Sequence, residues 1–491
     1  MLERVEAMEP ERGSVREALG RAYYDSGRPE AAREQFAKAL ELDPANDYAH
    51  FCLALCLLRA GEVDVAIGHL RLALAMRPNV DDYHQALARA ERMRPGGTVT
   101  EAAPLAGRYR SVALDLDGTV YLEDQVVPGA PEAIRGVREL GVRVAFVTNN
   151  AMRPPAAVVE KLSRLGVKAT VEEVLTSSQA VVRLLGGESG LRGRGVLVVG
   201  GAGLREALSG AGATLLDPEA WRDAEIVVAG LDPELTYERV RAASLAIAAG
   251  ARFVGSNADA SLPTPEGPWP GAGSVLALLS TATGARPEIA GKPDRALFET
   301  VAAALGPGPR LMVGDRVDTD LVGAQALGWA TALVLTGVTR PSALLDVEVV
   351  PDHLLADVGG LLQPPGPAIR VDDGPGRLRA VAEGDQGQVA SLAVRWEGSA
   401  AYLDELWVDP AWRGRLVGTR LLLDASARLR AAGVRTLTAS RSRLRAPDRP
   451  DRPGGHSAGA PDPDGVRRFL QRLGFEGDGQ GLSRDLGPSP R

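Results

Sequence analysis

The stretch "SVALDLDGTVY", Ser111 to Tyr121, ends an apolar run on two aspartates, Asp115 and Asp117, that flank one leucine. A carboxylate held out of water is costly unless a positive group pairs with it or it takes up a proton. A cation is therefore required at the end of this run. Residues suited to chemistry recur further along. Thr148 and Asn149 close "RVAFVTNN", Lys292 precedes a proline in "AGKPD", and "GDRVDTD" carries Asp315, Asp318 and Asp320. A calcium loop starting at Asp115 would need Asp or Asn at its fifth position and Gly at its sixth, where Thr119 and Val120 stand. His353 is the one histidine between Tyr109 and the carboxy-terminal part, and it follows the last strand-like run. A Ser-His-Asp or histidine-nucleophile mechanism thus lacks its histidine.

The elements that must position these residues are short β-branched runs separated by helical stretches: "SVALDLDG", "RVAFVTNN", "VLVVGG", "EIVVAG", "ARFVGSN", "RLMVGD" and "TALVLTG". Strand and helix in alternation predict an α/β fold with a parallel sheet. In such sheets ligands bind beyond the carboxyl ends of the strands. That is where Asp115, Asp117, Thr148 and Asp315 fall.

Four motifs in this order resemble the haloacid dehalogenase superfamily of phosphotransferases, over Tyr109 to Leu362. The resemblance implies a Rossmann-like core and a Mg²⁺-dependent phosphatase. A phosphate monoester is anionic, so a carboxylate can attack it only if a cation screens the repulsion. Asp115 is then the nucleophile that forms an aspartyl phosphate. Asp117 gives a proton to the leaving alkoxide and later takes one from water. Thr148, Asn149 and Lys292 hold the phosphoryl oxygens. The Asp115 carboxylate, the Asp117 carbonyl and Asp315 hold Mg²⁺, with Asp320 behind them. Gly118 allows the tight turn between the aspartates and the rest of the site.

About 140 residues separate Thr148 from Lys292, far more than a crossover needs, and they contain their own strand-helix alternation. A second α/β unit, residues 186–287, is expected as an insert in a core of 109–185 and 288–362. This matches the large cap of the IIA subclass, which includes phosphatases of phosphoglycolate, glycerol phosphate, pyridoxal phosphate and nitrophenyl phosphate. A closing cap excludes water and selects the leaving group. Within "SNADASLP" the expected specificity residues are Asn257, Asp259 and Leu262; Leu262 stands where the pyridoxal-phosphate enzymes carry a histidine. A small polyol or hydroxy-acid phosphate is the expected substrate, glycerol 3-phosphate foremost, with a 2-phosphoglycolate or nitrophenyl-phosphate type of phosphatase as the alternative.

Towards the amino terminus, Pro10, Pro44 and Pro78 recur at a spacing of 34, as do the pairs Gly27/Gly61, Ala32/Ala66, Phe36/Leu70 and Ala39/Ala73. This resembles the tetratricopeptide repeat, with full repeats at Ser14–Pro44 and Ala45–Pro78, a partial helix before them and "VDDYHQALARAERM" as a capping helix. Arg16 and His50 replace the family's first-helix Trp. The resemblance implies a protein or peptide partner, or else a helical appendage that packs on its neighbour. His50, His69 and His84 are expected on helix surfaces, and Cys52 and Cys56 in the core. Residues 1–95 form this region and 96–108, rich in Pro and Gly, a linker.

Residues 369–491 follow the Pro-rich "LLQPPGPAIR". "AYLDELWVDPAWRGRLVGTRLLLDASARLRAAGVRTLTA" resembles the acetyl-CoA-binding core of the GCN5-related acetyltransferases, an α+β domain, and "VRRFLQRLGFE" its last helix and strand. Leu416 stands where backbone must approach the pyrophosphate and Leu470 where many members carry a tyrosine acid, so acetyl-CoA is not an expected ligand. "RSRLRAPDRPDRPGGHSAGAPDPDG" reads as a disordered loop. A capped phosphatase joined to such a tail is similar to the glycerol 3-phosphate phosphatases of that architecture. The alternative of another class is a scaffold in which repeats and a degenerate tail dominate.

Bulk properties bound these readings. The chain has 491 residues, room for about three domains. A formal charge of −7 gives no reason to expect nucleic acid or an anionic membrane as partner. No apolar run reaches the roughly 18 residues of a membrane helix, and "MLERVEAMEP" lacks the regions of a signal peptide. The cytoplasm is the expected location.

Overall fold

A computed structural model describes residues 13–90, 103–440 and 463–486, apart from short breaks within these spans. The prolines of the 34-residue period, Gly27, Gly61, His84 and the loop expected from Arg441 lie outside the described residues.

Helices Gly13–Asp25, Pro29–Leu42, Asp47–Arg59 and Val63–Met76 form the two tetratricopeptide repeats. Ala32, Phe36 and Ala39 lie on one face of their helix, and Ala66, Leu70 and Ala73 repeat them 34 residues on; all six are fully buried. Asn46 caps the third helix, its side chain accepting from Ala49 N at 2.8 Å. Cys52 and Cys56 are buried, as expected. His50 is not a surface residue. It is buried, with its Nδ1 2.8 Å from His69 Nδ1. Arg16 and Gln35, at the equivalent positions of the first repeat, make a buried hydrogen bond of 3.0 Å. Each repeat thus places one polar pair where its two helices meet, and hydrogen bonding removes the cost of burying it.

The central core is a six-stranded sheet in the order His353–Leu355, Ala330–Val334, Arg310–Gly314, Ser111–Asp115, Arg143–Thr148, Val174–Thr176. Every neighbouring pair in it is parallel. Runs such as Val112, Ala113 and Leu114 are wholly buried because helices cover both faces. The strand order reverses at Ser111–Asp115, where crossovers leave towards opposite sides. Its carboxyl end is therefore the crevice in which Asp115, Thr148 and Asp315 meet.

The inserted unit has a second sheet, Glu288–Ile289, Arg252–Gly255, Ile226–Ala229, Gly195–Val199 and Thr214–Leu216, all parallel. Glu288 and Ile289 were expected in the returning core, but they pair with Val254 and Gly255, so the cap sheet runs to Ile289. A second correction concerns the linker. Leu105 and Ala106 are buried in the core cluster and Leu105 N donates to Gln363 O at 2.8 Å, so the packed domain begins before Tyr109.

The carboxy-terminal sheet runs Ala368–Gly374, Arg377–Gly384, Gly387–Glu397, Ala400–Val408, Thr436–Ser440, Gly481–Asp485. Helix Val417–Ala431 precedes the parallel pairing of Ala400–Leu403 with Thr436–Ala439. Among the described residues no helix is long and apolar enough to cross a membrane.

Candidate active site

Asp115 ends the central strand at the floor of the crevice, almost fully buried. Lys292 arrives from the segment after the cap and is equally buried; its Nζ donates to Asp115 Oδ1 and lies 2.7 Å from Asp320 Oδ1. Asp320 is fixed further by Arg316 N at 3.1 Å and by the Thr319 hydroxyl at 3.3 Å. Gly314 lies against the Asp320 side chain so closely that no Cβ fits there.

Asp315 follows the strand Arg310–Gly314 and is 1% exposed. Its Oδ2 accepts from Val338 N at 2.5 Å, while its Oδ1 has no hydrogen-bond partner. Gly118, with φ +87°, and Gly337 press on this carboxyl, and a Cβ on either would collide with it. The Thr336 hydroxyl donates to the Gly118 carbonyl at 2.5 Å. The loop after strand Ala330–Val334 thus holds both Asp315 and the turn behind Asp117.

Carboxylate oxygens of Asp115, Asp315 and Asp320 lie within 4.8 Å of one another, all buried. Among the described residues one ammonium, that of Lys292, faces these three carboxylates, so the cluster carries an excess of negative charge. Burial raises the Asp115 carboxyl well above the ordinary carboxylate range, against the pull of Lys292, and burial with the Asp320 charge pushes Asp315 up to about 6. Burial alone would lower Lys292, but Asp115 and Asp320 outweigh it and keep the ammonium charged. An orphaned buried oxygen beside crowded hard donors fits a divalent cation.

Asp117 opens to solvent at the mouth, but the walls of the crevice raise its carboxyl by desolvation. Tyr121 donates to it at 3.4 Å, and Lys161 Nζ sits 3.9 Å from the centre of the Tyr121 ring. Sequence reasoning missed Tyr121 and Lys161, though Tyr121 stands only four residues after Asp117. It also missed Thr336 and Val338, whose contribution to the site lies in contacts no motif records.

Thr148 is buried at the end of its strand, its hydroxyl accepting from Asn150 N at 3.1 Å. The Asn149 side chain reaches across to the cap and to Lys292. Its Oδ1 accepts from Lys292 N at 2.7 Å and its Nδ2 donates to Lys292 O and Asp259 Oδ2, both at 3.1 Å. The side chain thereby holds the Lys292 backbone. Asn257 is likewise buried and committed: Nδ2 donates to Asn149 O at 2.7 Å and Oδ1 accepts from Asp259 N at 3.1 Å. Asn257 and Asp259 therefore tie the cap loop to the core. Leu262 is half-buried in a hairpin of Ser261–Thr264 with Gly267–Pro270, opposite the exposed Trp269. Asp318 is exposed and paired with Arg316 at 2.7 Å.

In the carboxy-terminal domain Leu416 adopts φ +58° and is half-buried, a left-handed conformation that glycine takes without cost. Leu470 is 1% exposed.

The site and the fold define the class, and comparison with known proteins agrees. A family profile described as haloacid dehalogenase-like hydrolase matches residues 112–214, one described as HAD-hydrolase-like matches 289–361, a tetratricopeptide repeat profile matches 17–81, and an acetyltransferase (GNAT) family profile matches 366–446. The chain belongs to the haloacid dehalogenase-like hydrolases and is a phosphoric monoester hydrolase of that family, with tetratricopeptide repeats before it and an acetyltransferase-like domain after it. It is 38% identical over 322 residues to the D-glycerol 3-phosphate phosphatase of Mycobacterium tuberculosis, covering 61% of this chain and 90% of that one. It is 36% identical over 249 residues to a 5'-nucleotidase of Bacillus subtilis, covering 50% of this chain and 95% of that one. Among solved structures, the Mycobacterium tuberculosis glycerol phosphate phosphatase in complex with magnesium is similar at a TM-score of 0.59 and 31% identity, over 76% of this chain and 98% of that one. Phosphatases of this family use a divalent metal.

Proposed function

We propose that this protein is a Mg²⁺-dependent phosphatase of a small phosphomonoester, with glycerol 3-phosphate the favoured substrate. The carrying observation is the buried cluster in which Lys292 meets Asp115 and Asp320 while Asp315 keeps an unpartnered oxygen. Asp115 and Asp315, with the Asp117 carbonyl, would hold the metal, and Asp320 would orient Lys292. When bound, Mg²⁺ supplies the positive charge that lets an anionic nucleophile approach an anionic phosphate.

In this reading an Asp115 carboxylate oxygen bonds to phosphorus as the ester P–O bond breaks. Asp117, whose raised affinity for protons suits an acid, protonates the departing alkoxide. Water then attacks the phosphorus of the aspartyl phosphate, Asp117 takes the water's proton, and the P–O bond to Asp115 breaks, releasing inorganic phosphate and restoring the carboxylate. Thr148 and Lys292 bind the phosphoryl oxygens, and Asn149 keeps Lys292 in register.

The substrate rests on breadth of likeness. Similarity to the glycerol phosphate phosphatase extends over 76% of this chain, more than residues 109–362 alone span, which supports a likeness that goes beyond the phosphatase domain. Leu262 and Trp269, paired across a hairpin that begins two residues after Asp259, are assigned the apolar contacts to a small leaving group. The same reading divides the chain into repeats over 1–95, the phosphatase, and a module over 369–491 that does not transfer acetyl groups. A protein partner is assigned to the repeats.

Phosphate release should be measured from both glycerol 3-phosphate enantiomers, 2-phosphoglycolate, nitrophenyl phosphate and nucleoside 5'-monophosphates, with Mg²⁺ and with EDTA. A glycerol phosphate is expected to give the highest kcat/KM. A nucleotide or phosphoglycolate in first place would overturn the substrate assignment.

A further inference from the structure

The acetyltransferase-like domain reaches the phosphatase through arginines. Arg430, near the end of helix Val417–Ala431, is 5% exposed; it donates to Leu345 O and, at 2.7 Å, to Val347 O. Arg484, on strand Gly481–Asp485 and 8% exposed, donates to Ser342 O at 2.7 Å, to Leu473 O and to Asp346. Arg420 donates to Pro351 O. Arg420 and Arg430 stand about 15 Å apart along the helix, so the grip is spread along the segment. A guanidinium buried on main-chain carbonyls is costly to desolvate and forms charge-assisted bonds in fixed directions. Such bonds fix a backbone more firmly than apolar packing does.

The held segment is continuous with the site. Residues 342–351 begin four positions after Val338 on the loop whose Thr336, Gly337 and Val338 touch the Gly118 carbonyl and the Asp315 carboxyl. Leu344 and Leu345, inside the held segment, are fully buried, so its packed part has little freedom to absorb a displacement.

We infer that the acetyltransferase-like domain is a positioning element of the phosphatase, with Arg430 and Arg484 anchoring residues 342–347, the continuation of the loop in which Val338 N–H and Thr336 Oγ1 set Asp315 and the Gly118 turn for metal binding. These arginines are positioning residues; they touch neither substrate nor metal. The inference rests on the proposed function in one respect only, that Asp315 helps hold the divalent ion.

The test is Mn²⁺ affinity, by electron paramagnetic resonance or calorimetry, for full-length wild type, Arg430→Met, Thr336→Val and the double variant, well below any unfolding transition. Arg430→Met should weaken Mn²⁺ binding about tenfold and lower kcat while KM for the ester stays within about twofold. The effects of Arg430→Met and Thr336→Val should be less than additive, because both loosen one segment. Unchanged Mn²⁺ affinity in Arg430→Met, or strict additivity, would overturn the inference. Failure of wild type to bind Mn²⁺ would instead overturn the metal site itself. Should Arg430→Met not fold, Arg430→Lys, which keeps the charge but loses the two-pronged contact, and Arg484→Lys carry the same expectation and the same refutation.

Discussion

Replacing Lys292 with methionine removes the one ammonium that faces Asp115 and Asp320, while keeping the side chain's length. Lys292 is 3% exposed and both partners are buried, so the variant leaves two carboxylates without their cation. Breaking a buried pair from one side costs about 3–5 kcal/mol. For a domain of this size, each kcal/mol moves the midpoint by roughly 2–4 °C, which places the loss at roughly 6–20 °C. The assay is thermal unfolding of the phosphatase transition in EDTA and in Mg²⁺, run beside phosphate release. Activity should fall at least about 100-fold, as when a donor to a developing oxyanion is lost. Adding Asp320→Asn to Lys292→Met should recover at least about 1 kcal/mol, since one stranded charge is gone. A variant that melts within about 1 °C of wild type would refute the electrostatic account of this cluster.

Burial and Asp320 push Asp315 from 3.8 up to about 6, so its carboxyl favours the metal-free fold when protonated; that contribution is present at low pH and is lost as pH rises from 3.8 through about 6. Mg²⁺ must displace this proton, so calorimetry at pH 5.5 should give weaker binding than at pH 7.5, and equal affinities would contradict the assignment. Gly118→Ala forces a Cβ into the Asp315 carboxyl at φ +87°, and should abolish Mg²⁺-induced stabilisation; a normal Mg²⁺ shift in the melting curve would show the turn is not needed. Burial and His50 lower His69 from 6.5 to about 4, so its contribution to the repeats is present above pH 6.5 and lost as pH falls through about 4. Amide exchange over residues 47–76 should accelerate through that window before the phosphatase core opens.

Much of this molecule is legible in its sequence because the signals are periodic or local. Ala32, Phe36 and Ala39 and their partners 34 residues on show their burial by spacing, and Asp115, Thr148 and Asp315 by their position after β-branched runs. What stays hidden depends on side-chain geometry. No pattern tells that Asn149 spends its amide on the Lys292 backbone, or that Val338 lends its N–H to Asp315. His50 looked exposed because a lone histidine on a helix usually faces water; its partner His69 comes into view only when the helices cross. Glu288 and Ile289 form a two-residue edge strand, too short to carry a periodic signal. The arginines of the last domain read as surface charge until their acceptors, main-chain carbonyls without sequence identity, are placed against them.

The central claim is that Asp115, screened by a divalent ion and Lys292, attacks phosphorus. Phosphate release from glycerol 3-phosphate by wild type and Asp115→Asn, each with Mg²⁺ and with EDTA, addresses it directly. The account predicts turnover by wild type with Mg²⁺ and none above background in the other three arms. Turnover by Asp115→Asn at a rate near that of wild type would contradict it.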